Sequence, residues 1–210
     1  VPEVMDYEAL LNLKQTQEMI DRGGIPFAVD FENVEPVEID VSKDPNTLIL
    51  GDMIDSVETT FQTLLSSIPR IKSIDVGMMD NASGSFRRYR EEVDLYADDT
   101  SQLDAMVEKL QDIFEARDDA FRQAQATSDG NFTRSKFIKE IRPIVILITD
   151  SVFVADTVSM MNQTTLAKLI ENGGRVGIYF IIGAVSGAIE RRYDDITNMM
   201  KKQKVGILIG

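Results

Sequence analysis

The chain contains no cysteine and no histidine. These absences exclude disulfides, thiolate metal sites, histidine general bases and Ser–His triads from its 210 residues. No run approaches the roughly 20 apolar residues of a membrane span, and no signal peptide opens the chain. Basic residues are outnumbered, with 22 Lys and Arg against 35 Asp and Glu and a net charge of −13. A nucleic-acid surface is not expected, because such surfaces need a basic stripe.

The length fits one α/β domain with a core of its own. Apolar runs that are typical of buried strands alternate with amphipathic helical patterns. We expect strands at 25–29, 37–41, 47–50, 74–78, 93–96, 144–148, 176–182 and 205–209. We expect helices at 7–22, 55–68, 100–126, 154–172 and 193–202. This alternation predicts a central, mostly parallel sheet flanked by helices, with ligand sites at the carboxyl ends of the strands.

The stretch 48–60 has the layout of a phosphate-binding loop: an apolar strand, a glycine, a short turn and an amphipathic helix. The motif G-x-x-x-x-G-K-[ST] needs backbone N–H groups and a lysine for the phosphates, and a hydroxyl for Mg²⁺. Gly51 stands at the first glycine, but Ser56 occupies the second glycine position. Val57 replaces the lysine and Glu58 the hydroxyl residue. Since Val57 lies on the apolar face of the predicted helix, we expect its side chain to pack in the core.

Three carboxylates surround this turn: Asp52, Asp55 and Glu58. A unit charge about 4 Å from a phosphate charge interacts with roughly 4 kcal/mol at a protein surface. Losing the lysine and adding these acids therefore predicts a loss of about a thousandfold or more in nucleotide affinity. A strand–turn–helix without nucleotide ancestry has the same layout, so the turn alone does not decide between the two.

A second degenerate position follows the apolar strand 144–148. A nucleotide hydrolase needs a carboxylate there to hold Mg²⁺, usually followed by a glutamate that activates water. Thr149 and Asp150 occupy these positions, so Asp150 would lack a metal beside it. Where the next strand ends, Ser186 is the one polar residue available to sense a γ-phosphate. Three losses at one edge favour decay of a single ancestral site over coincidence.

With these residues in place, the chain resembles FtsK/SpoIIIE-type ATPase domains, which have a RecA-like P-loop NTPase fold. It is most similar to the last (third) ATPase domain of the EssC/EccC family of type VII secretion coupling proteins. The resemblance runs from about residue 25 to 210 and rests on the segments 25–30, 34–41, 48–51, 71–74 and 176–182. We accordingly divide the chain into an N-terminal linker or helix, 1–24, and a degenerate FtsK/SpoIIIE-type domain, 25–210.

The resemblance implies a cytoplasmic domain of a bacterial cell-membrane protein that oligomerises. Its implied partners are secreted WXG100-like substrates and the neighbouring ATPase domains of the same chain. It implies contact with the membrane only through the parent protein. No ATP, Mg²⁺ or other metal and no catalytic residue is expected in this domain. The sequence does not begin with Met and ends in a predicted strand, so we expect it to be a piece of a larger protein.

Two other functions stay open at this point: an ATP-hydrolysing motor or DNA translocase with an unorthodox site, and a purely structural spacer. Among the ten methionines, most are expected to fill the core. Met199 and Met200 are the candidates for an exposed apolar patch that binds protein, since flexible thioethers suit adaptable binding surfaces.

Overall fold

The computed structural model describes residues 7–30, 35–41, 43–128, 130–203 and 206–209. The strands of these ranges are β1 Ile25–Val29, β2 Pro36–Ile39, β3 Asn46–Gly51, β4 Asp75–Met79, β5 Leu95–Ala97, β6 Ile144–Ile148, β7 Ile178–Val185 and β8 Gly206–Ile209. The α-helices are α1 Tyr7–Leu11, α2 Lys14–Asp21, α3 Ile54–Ser67, α4 Thr100–Thr127, α5 Arg134–Glu140, α6 Ser151–Thr157, α7 Met160–Asn172, α8 Ser186–Ile189 and α9 Asp195–Met200. The predicted α/β class is confirmed.

The central sheet has six strands in the order β5-β4-β6-β7-β3-β8. All five pairings between neighbouring strands are parallel. β1 and β2 form a separate antiparallel pair. Because the six strands run in one direction, their carboxyl ends lie along a single edge, which we call the carboxyl edge. The opposite border, where the strands begin, is the amino edge.

Helices cover both faces of the sheet. In β6, whose five residues are all buried, Ile144, Ile146 and Ile148 belong to one apolar cluster. Val145 and Leu147 belong to the other. This alternation follows from the two-residue repeat of a strand. The first cluster packs under α4, α6, α7 and α9, and the second under the N-terminal helices, β1, β2 and α3.

The N-terminal helices pack onto the second cluster. Leu11 of α1 and Ile20 of α2 are buried together with Ile25 of β1 and Phe61 of α3. The division at residue 24 stays a prediction. Within the described ranges, no helix is both long enough and apolar enough to cross a membrane.

The helix expected over 154–172 is divided into α6 and α7. The division follows from a contact with α4: the backbone N–H and the hydroxyl of Ser159 both donate to the Asp104 carboxylate, each at 3.0 Å. Ser159 is the N-cap of α7, but its side chain makes no capping bond there because the hydroxyl is used on Asp104. A local sequence pattern cannot show a partner that lies 55 residues away.

Candidate functional site

The turn after β3 is two residues long. β3 ends at Gly51 and α3 begins at Ile54, so Asp52 and Met53 alone connect them. In a phosphate-binding loop, backbone N–H groups of the residues after the glycine point at the phosphates. Here the Val57 N–H already donates to the Met53 carbonyl at 3.5 Å. The predicted layout is only partly kept, because the helix begins within the stretch that would cradle phosphate.

Val57, at the lysine position, is fully buried. A Cβ placed on Gly51 would lie 2.9 Å from Val57 Cγ2, and one placed on Gly183 would lie 2.8 Å from Val57 Cγ1. The isopropyl group therefore packs between the last residue of β3 and the middle of β7. The prediction that Val57 packs in the core is confirmed.

The turn after β3 is joined to the end of β7. The Ser186 hydroxyl donates to Asp52 Oδ1 at 3.2 Å. β3 and β7 are neighbours in the sheet, so this bond connects two positions that the sequence analysis assigns to the same site. The Ser186 hydroxyl and the Asp52 carboxylate therefore bond to each other beside the turn.

The first turn of α3 carries the remaining loop positions. The carbonyl of Asp55 accepts a hydrogen bond from the Thr59 hydroxyl at 2.8 Å. The carbonyl of Ser56 accepts one from the Thr60 hydroxyl at 3.0 Å. Asp55 is exposed and Ser56 half-buried. These two residues are thus part of a regular helix.

Glu58, at the hydroxyl position, reaches away from the turn. Its Oε1 accepts hydrogen bonds from Asn81 Nδ2 at 2.7 Å and from the Ser85 hydroxyl at 2.8 Å. In the part of the chain that the structure describes, no lysine or arginine forms an ion pair with Glu58, Asp52 or Asp55. Within the described ranges, the carboxylates of Asp52, Asp55 and Glu58 therefore have no compensating cation, and that of Glu58 is directed towards the loop after β4.

The two positions after β6 are also occupied by local contacts. Thr149 is fully buried, and its N–H and hydroxyl both donate to the Met79 carbonyl, at 3.1 and 3.3 Å. Asp150 caps α6, where its carboxylate accepts from the N–H groups of Val152 at 3.0 Å and Phe153 at 3.1 Å. An N-cap carboxylate of this kind stabilises the helix start. Neither side chain reaches across to the turn after β3.

The loop after β4 is organised by a buried carboxyl group. Asp80 accepts hydrogen bonds from the N–H of Asn81 at 2.7 Å, the N–H of Phe86 at 3.1 Å and the Tyr96 hydroxyl at 2.6 Å. Burial raises the pKa of Asp80, and these three donors oppose that shift. Burial, followed by the bond to Asp80, raises the pKa of Tyr96 as well. The network holds Asn81 where it meets Glu58.

Three known proteins are similar to this chain in sequence or in fold. No protein-family model matches it. It is 23% identical over 186 residues to the ESX secretion system protein YukB of Bacillus subtilis (strain 168). That alignment covers 88% of this chain and 12% of YukB. Its fold is similar to that of the cytoplasmic domain of EssC, with a TM-score of 0.85, 17% identity and coverage of 100% of this chain and 40% of that one. The chain is homologous to the ATPase domains of EssC/EccC type VII secretion proteins.

A second similar structure comes from a complex. ATPases 2 and 3 of Thermomonospora curvata EccC, solved with a signal sequence peptide, match with a TM-score of 0.64 and 20% identity. That match covers 89% of this chain and 33% of the EccC chain. This chain spans 12% of the length of the curated relatives that it matches. Its parallel sheet flanked by helices matches the P-loop ATPase domains of EssC and EccC.

Sequence reasoning missed two residues of the candidate site. Gly183 interrupts the apolar run of β7, and an isolated glycine in a strand indicates a close approach of another group. Asn81 follows β4 at the carboxyl edge, where polar residues of parallel sheets gather. Both signals were present in the sequence, but the contact between Asn81 and Glu58 joins residues 23 apart.

The expected exposed patch at Met199 and Met200 is wrong. Met200 is fully buried, and Met199 is half-buried against the cluster beneath α7. The exposed residues nearby are Met160 and Met161 at the start of α7, with 85% and 74% of their surface accessible, and Tyr193 before α9, with 80%. The methionines of α9 are buried because that helix packs them against the cluster beneath α7, and the methionines at the start of α7 are exposed instead.

Tyr193 and the two methionines flank the same helix contact. The Thr164 hydroxyl of α7 donates to Asp195 Oδ2 of α9 at 2.9 Å. Met161 lies one turn before Thr164, and Tyr193 lies two residues before Asp195. We call Met160, Met161 and Tyr193 the methionine surface.

Across the described ranges, no three acidic residues come together as ligands for a metal ion.

Proposed function

We propose that this chain is a non-hydrolysing, ATPase-like domain, the third of a type VII secretion coupling protein. In this proposal it recognises secreted substrates or regulates the neighbouring ATPase domains. The parent would be an oligomeric protein of the bacterial cell membrane, with this domain on the cytoplasmic side. The observation that carries the proposal is the burial of Val57, which puts an apolar core residue where a phosphate-binding lysine would stand.

Electrostatics supports the absence of nucleotide binding. A triphosphate at the turn after β3 would meet the carboxylates of Asp52 and Asp55, neither of which is paired with a cation in the described ranges. Each close like-charge pair costs roughly 4 kcal/mol at the effective dielectric of a protein surface. The hydroxyl of Ser186 and the carboxylate of Asp150 are committed to Asp52 and to the start of α6. Magnesium would therefore lack both a ligand set and a phosphate to bridge.

The first test is a titration of Mg·ATP into the purified chain by calorimetry. We expect no saturable binding up to about 1 mM and no phosphate release, since a loss of several kcal/mol lowers affinity by more than a thousandfold. An EssC/EccC ATPase domain that keeps the motif lysine serves as the positive control. Micromolar binding, with turnover abolished by Asp150→Asn, would instead establish an ATPase or a DNA translocase.

The exposed apolar residues support a protein partner. Seven large hydrophobic residues are exposed in the described ranges, and five of them lie in the turn after β3, at the starts of α3 and α7, or just before α9: Met53, Ile54, Met160, Met161 and Tyr193. Exposed apolar surface of this kind marks interaction sites, and Met and Tyr are enriched at interfaces. The EccC homologue solved with a signal sequence peptide provides a precedent for peptide binding among ATPases 2 and 3.

The second test measures binding of a purified WXG100-like secreted protein by surface plasmon resonance. The double variant Met160→Ser and Met161→Ser is expected to bind at least about tenfold more weakly, as removal of interface anchors commonly costs more than 1 kcal/mol. Leu208→Ser is the control, since it replaces an equally exposed side chain, 81% accessible, on β8. It should leave the affinity for the secreted protein unchanged. Absence of binding by the unmodified chain would favour a spacer or a regulatory domain.

A further inference from the structure

A groove lies along the amino edge, at the opposite border of the sheet from the turn after β3. It consists of two cavities of about 400 and 360 Å³. Both are lined by Ile138 and Lys139 of α5 and by Tyr179 of β7. Arg22 lines the first cavity and Arg134 the second. We call this feature the amino-edge groove.

Tyr179 offers the groove an unused hydrogen-bonding group. Its side chain is only 4% exposed, yet no residue in the described ranges forms a hydrogen bond with its hydroxyl. The hydroxyl oxygen itself opens onto the groove, because it is not one of the fully buried side-chain atoms that lack a partner. Burial also raises the pKa of Tyr179, so the hydroxyl stays protonated and able to donate. A ligand with an acceptor atom would satisfy it.

Lys139 supplies an uncompensated positive charge. It is exposed and forms no ion pair within the described part of the chain. The other two cations of the groove are paired, Arg22 with Glu38 at 2.7 Å and Arg134 with Asp118 at 3.1 Å. Asp40, the one acidic residue lining the first cavity, is paired with Lys43 at 3.2 Å.

This local excess of positive charge contrasts with the chain's net charge of −13. An acidic partner is repelled by most of the molecular surface and attracted here, because screening limits each charge to about 8 Å at physiological salt. Nucleic acid is disfavoured as the occupant, since it would bring a long run of phosphates against the acidic remainder.

The walls of the groove are apolar beside these charges. Ile74, Ile138, Ile141 and Pro143 line the first cavity, and Pro45 and Ile138 line the second. The two cavities meet at Tyr179, so an occupant that fills both must extend past this side chain. An extended peptide satisfies that length and presents alternate polar and apolar side chains to a groove.

We propose that the amino-edge groove binds an acidic peptide segment of a partner protein. A carboxylate of the segment pairs with Lys139 and accepts a hydrogen bond from the Tyr179 hydroxyl, while its apolar side chains contact Ile138 and Ile141. This surface is separate from the methionine surface and from the turn after β3. The proposal therefore holds or fails independently of the proposed function.

The test uses fluorescence anisotropy with a labelled eight-residue peptide that alternates glutamate and leucine, and with its counterpart in which lysine replaces glutamate. The intact chain is expected to bind the acidic peptide and not the basic one. Lys139→Glu should lower the affinity about tenfold, since charge reversal changes an attraction into a repulsion. Tyr179→Phe should lower the affinity about three- to tenfold, which is the usual effect of removing one hydrogen bond.

Lys136→Glu is the matched control. Lys136 lies on the same helix and is exposed, but it lines neither cavity. At 0.15 M salt it should change the affinity clearly less than Lys139→Glu, because Lys136 lines neither cavity and salt screens a charge that does not contact the ligand. Equal losses from Lys136→Glu and Lys139→Glu would reduce the effect to general electrostatics and overturn the proposal. Equal binding of the two peptides, or no binding of either, would also overturn it.

Discussion

Val57→Lys is expected to lower the free energy of unfolding by about 3–5 kcal/mol and to leave the chain unable to bind Mg·ATP. Val57 is fully buried, and its methyl groups lie close to the backbone at Gly51 and Gly183. A lysine there must either bury an unpaired ammonium group or lose its proton. Its longer side chain also has no space between the two strands. Urea denaturation followed by circular dichroism measures the loss, and calorimetry measures nucleotide binding.

Asp55→Lys is the control for this prediction. It introduces the same residue two positions earlier, at an exposed site in the first turn of α3. Loss of a favourable acid at a helix start costs about 0.3–1 kcal/mol. If Val57→Lys were as stable as Asp55→Lys and bound ATP at micromolar concentration, the lysine position would be an open pocket. The burial of Val57, on which the non-hydrolysing assignment rests, would then no longer support that assignment.

Gly183→Ala is expected to lower the free energy of unfolding by about 2–3 kcal/mol. An added Cβ would lie 2.5 Å from Phe61 Cε2, 2.8 Å from the Thr149 carbonyl oxygen and 2.8 Å from Val57 Cγ1. Phe61 is fully buried and the Thr149 carbonyl belongs to the backbone, so neither group can move freely. Overpacking a dense core in this way usually costs 1–3 kcal/mol. The same denaturation measurement applies.

Gly187→Ala provides the comparison for Gly183→Ala. Gly187 lies in α8 and is exposed, and an added Cβ would have no heavy atom within 4 Å. Alanine is favoured over glycine in a helix by up to about 1 kcal/mol, so this variant should be unchanged or slightly more stable. A Gly183→Ala protein as stable as Gly187→Ala would show that β7 and α3 can separate without cost.

Much of the fold was predictable because the strands are strongly apolar. The run 144–148 coincides with β6, and the other expected strands agree with the structure within three residues of each end. The largest difference is in β7, which continues to Val185 because Gly183 stays paired with Ile49. Glycine has low strand propensity, so local sequence placed the end too early.

The candidate site was predictable in its residue types and not in its contacts. That Val57 and Thr149 stand where a lysine and a metal ligand are needed follows from spacing alone. That Glu58 meets Asn81, or that Asp150 bonds to its own helix, depends on where α3 and α6 lie on the sheet. Met200 was misassigned for the same reason. Two adjacent methionines on a short helix do not show which side of the helix is buried, and that is decided by the packing of α7 against α9.

The sequence by itself determined the α/β class, the excess of acid and the absence of lysine from the turn after β3 and the start of α3, because each depends on residue identity and on short-range periodicity. Tertiary structure decided which side chains are exposed, which carboxylates find partners and where the amino-edge groove lies. These properties arise between segments far apart in the chain. Their energies depend on packing and desolvation, which a local pattern of residues does not contain.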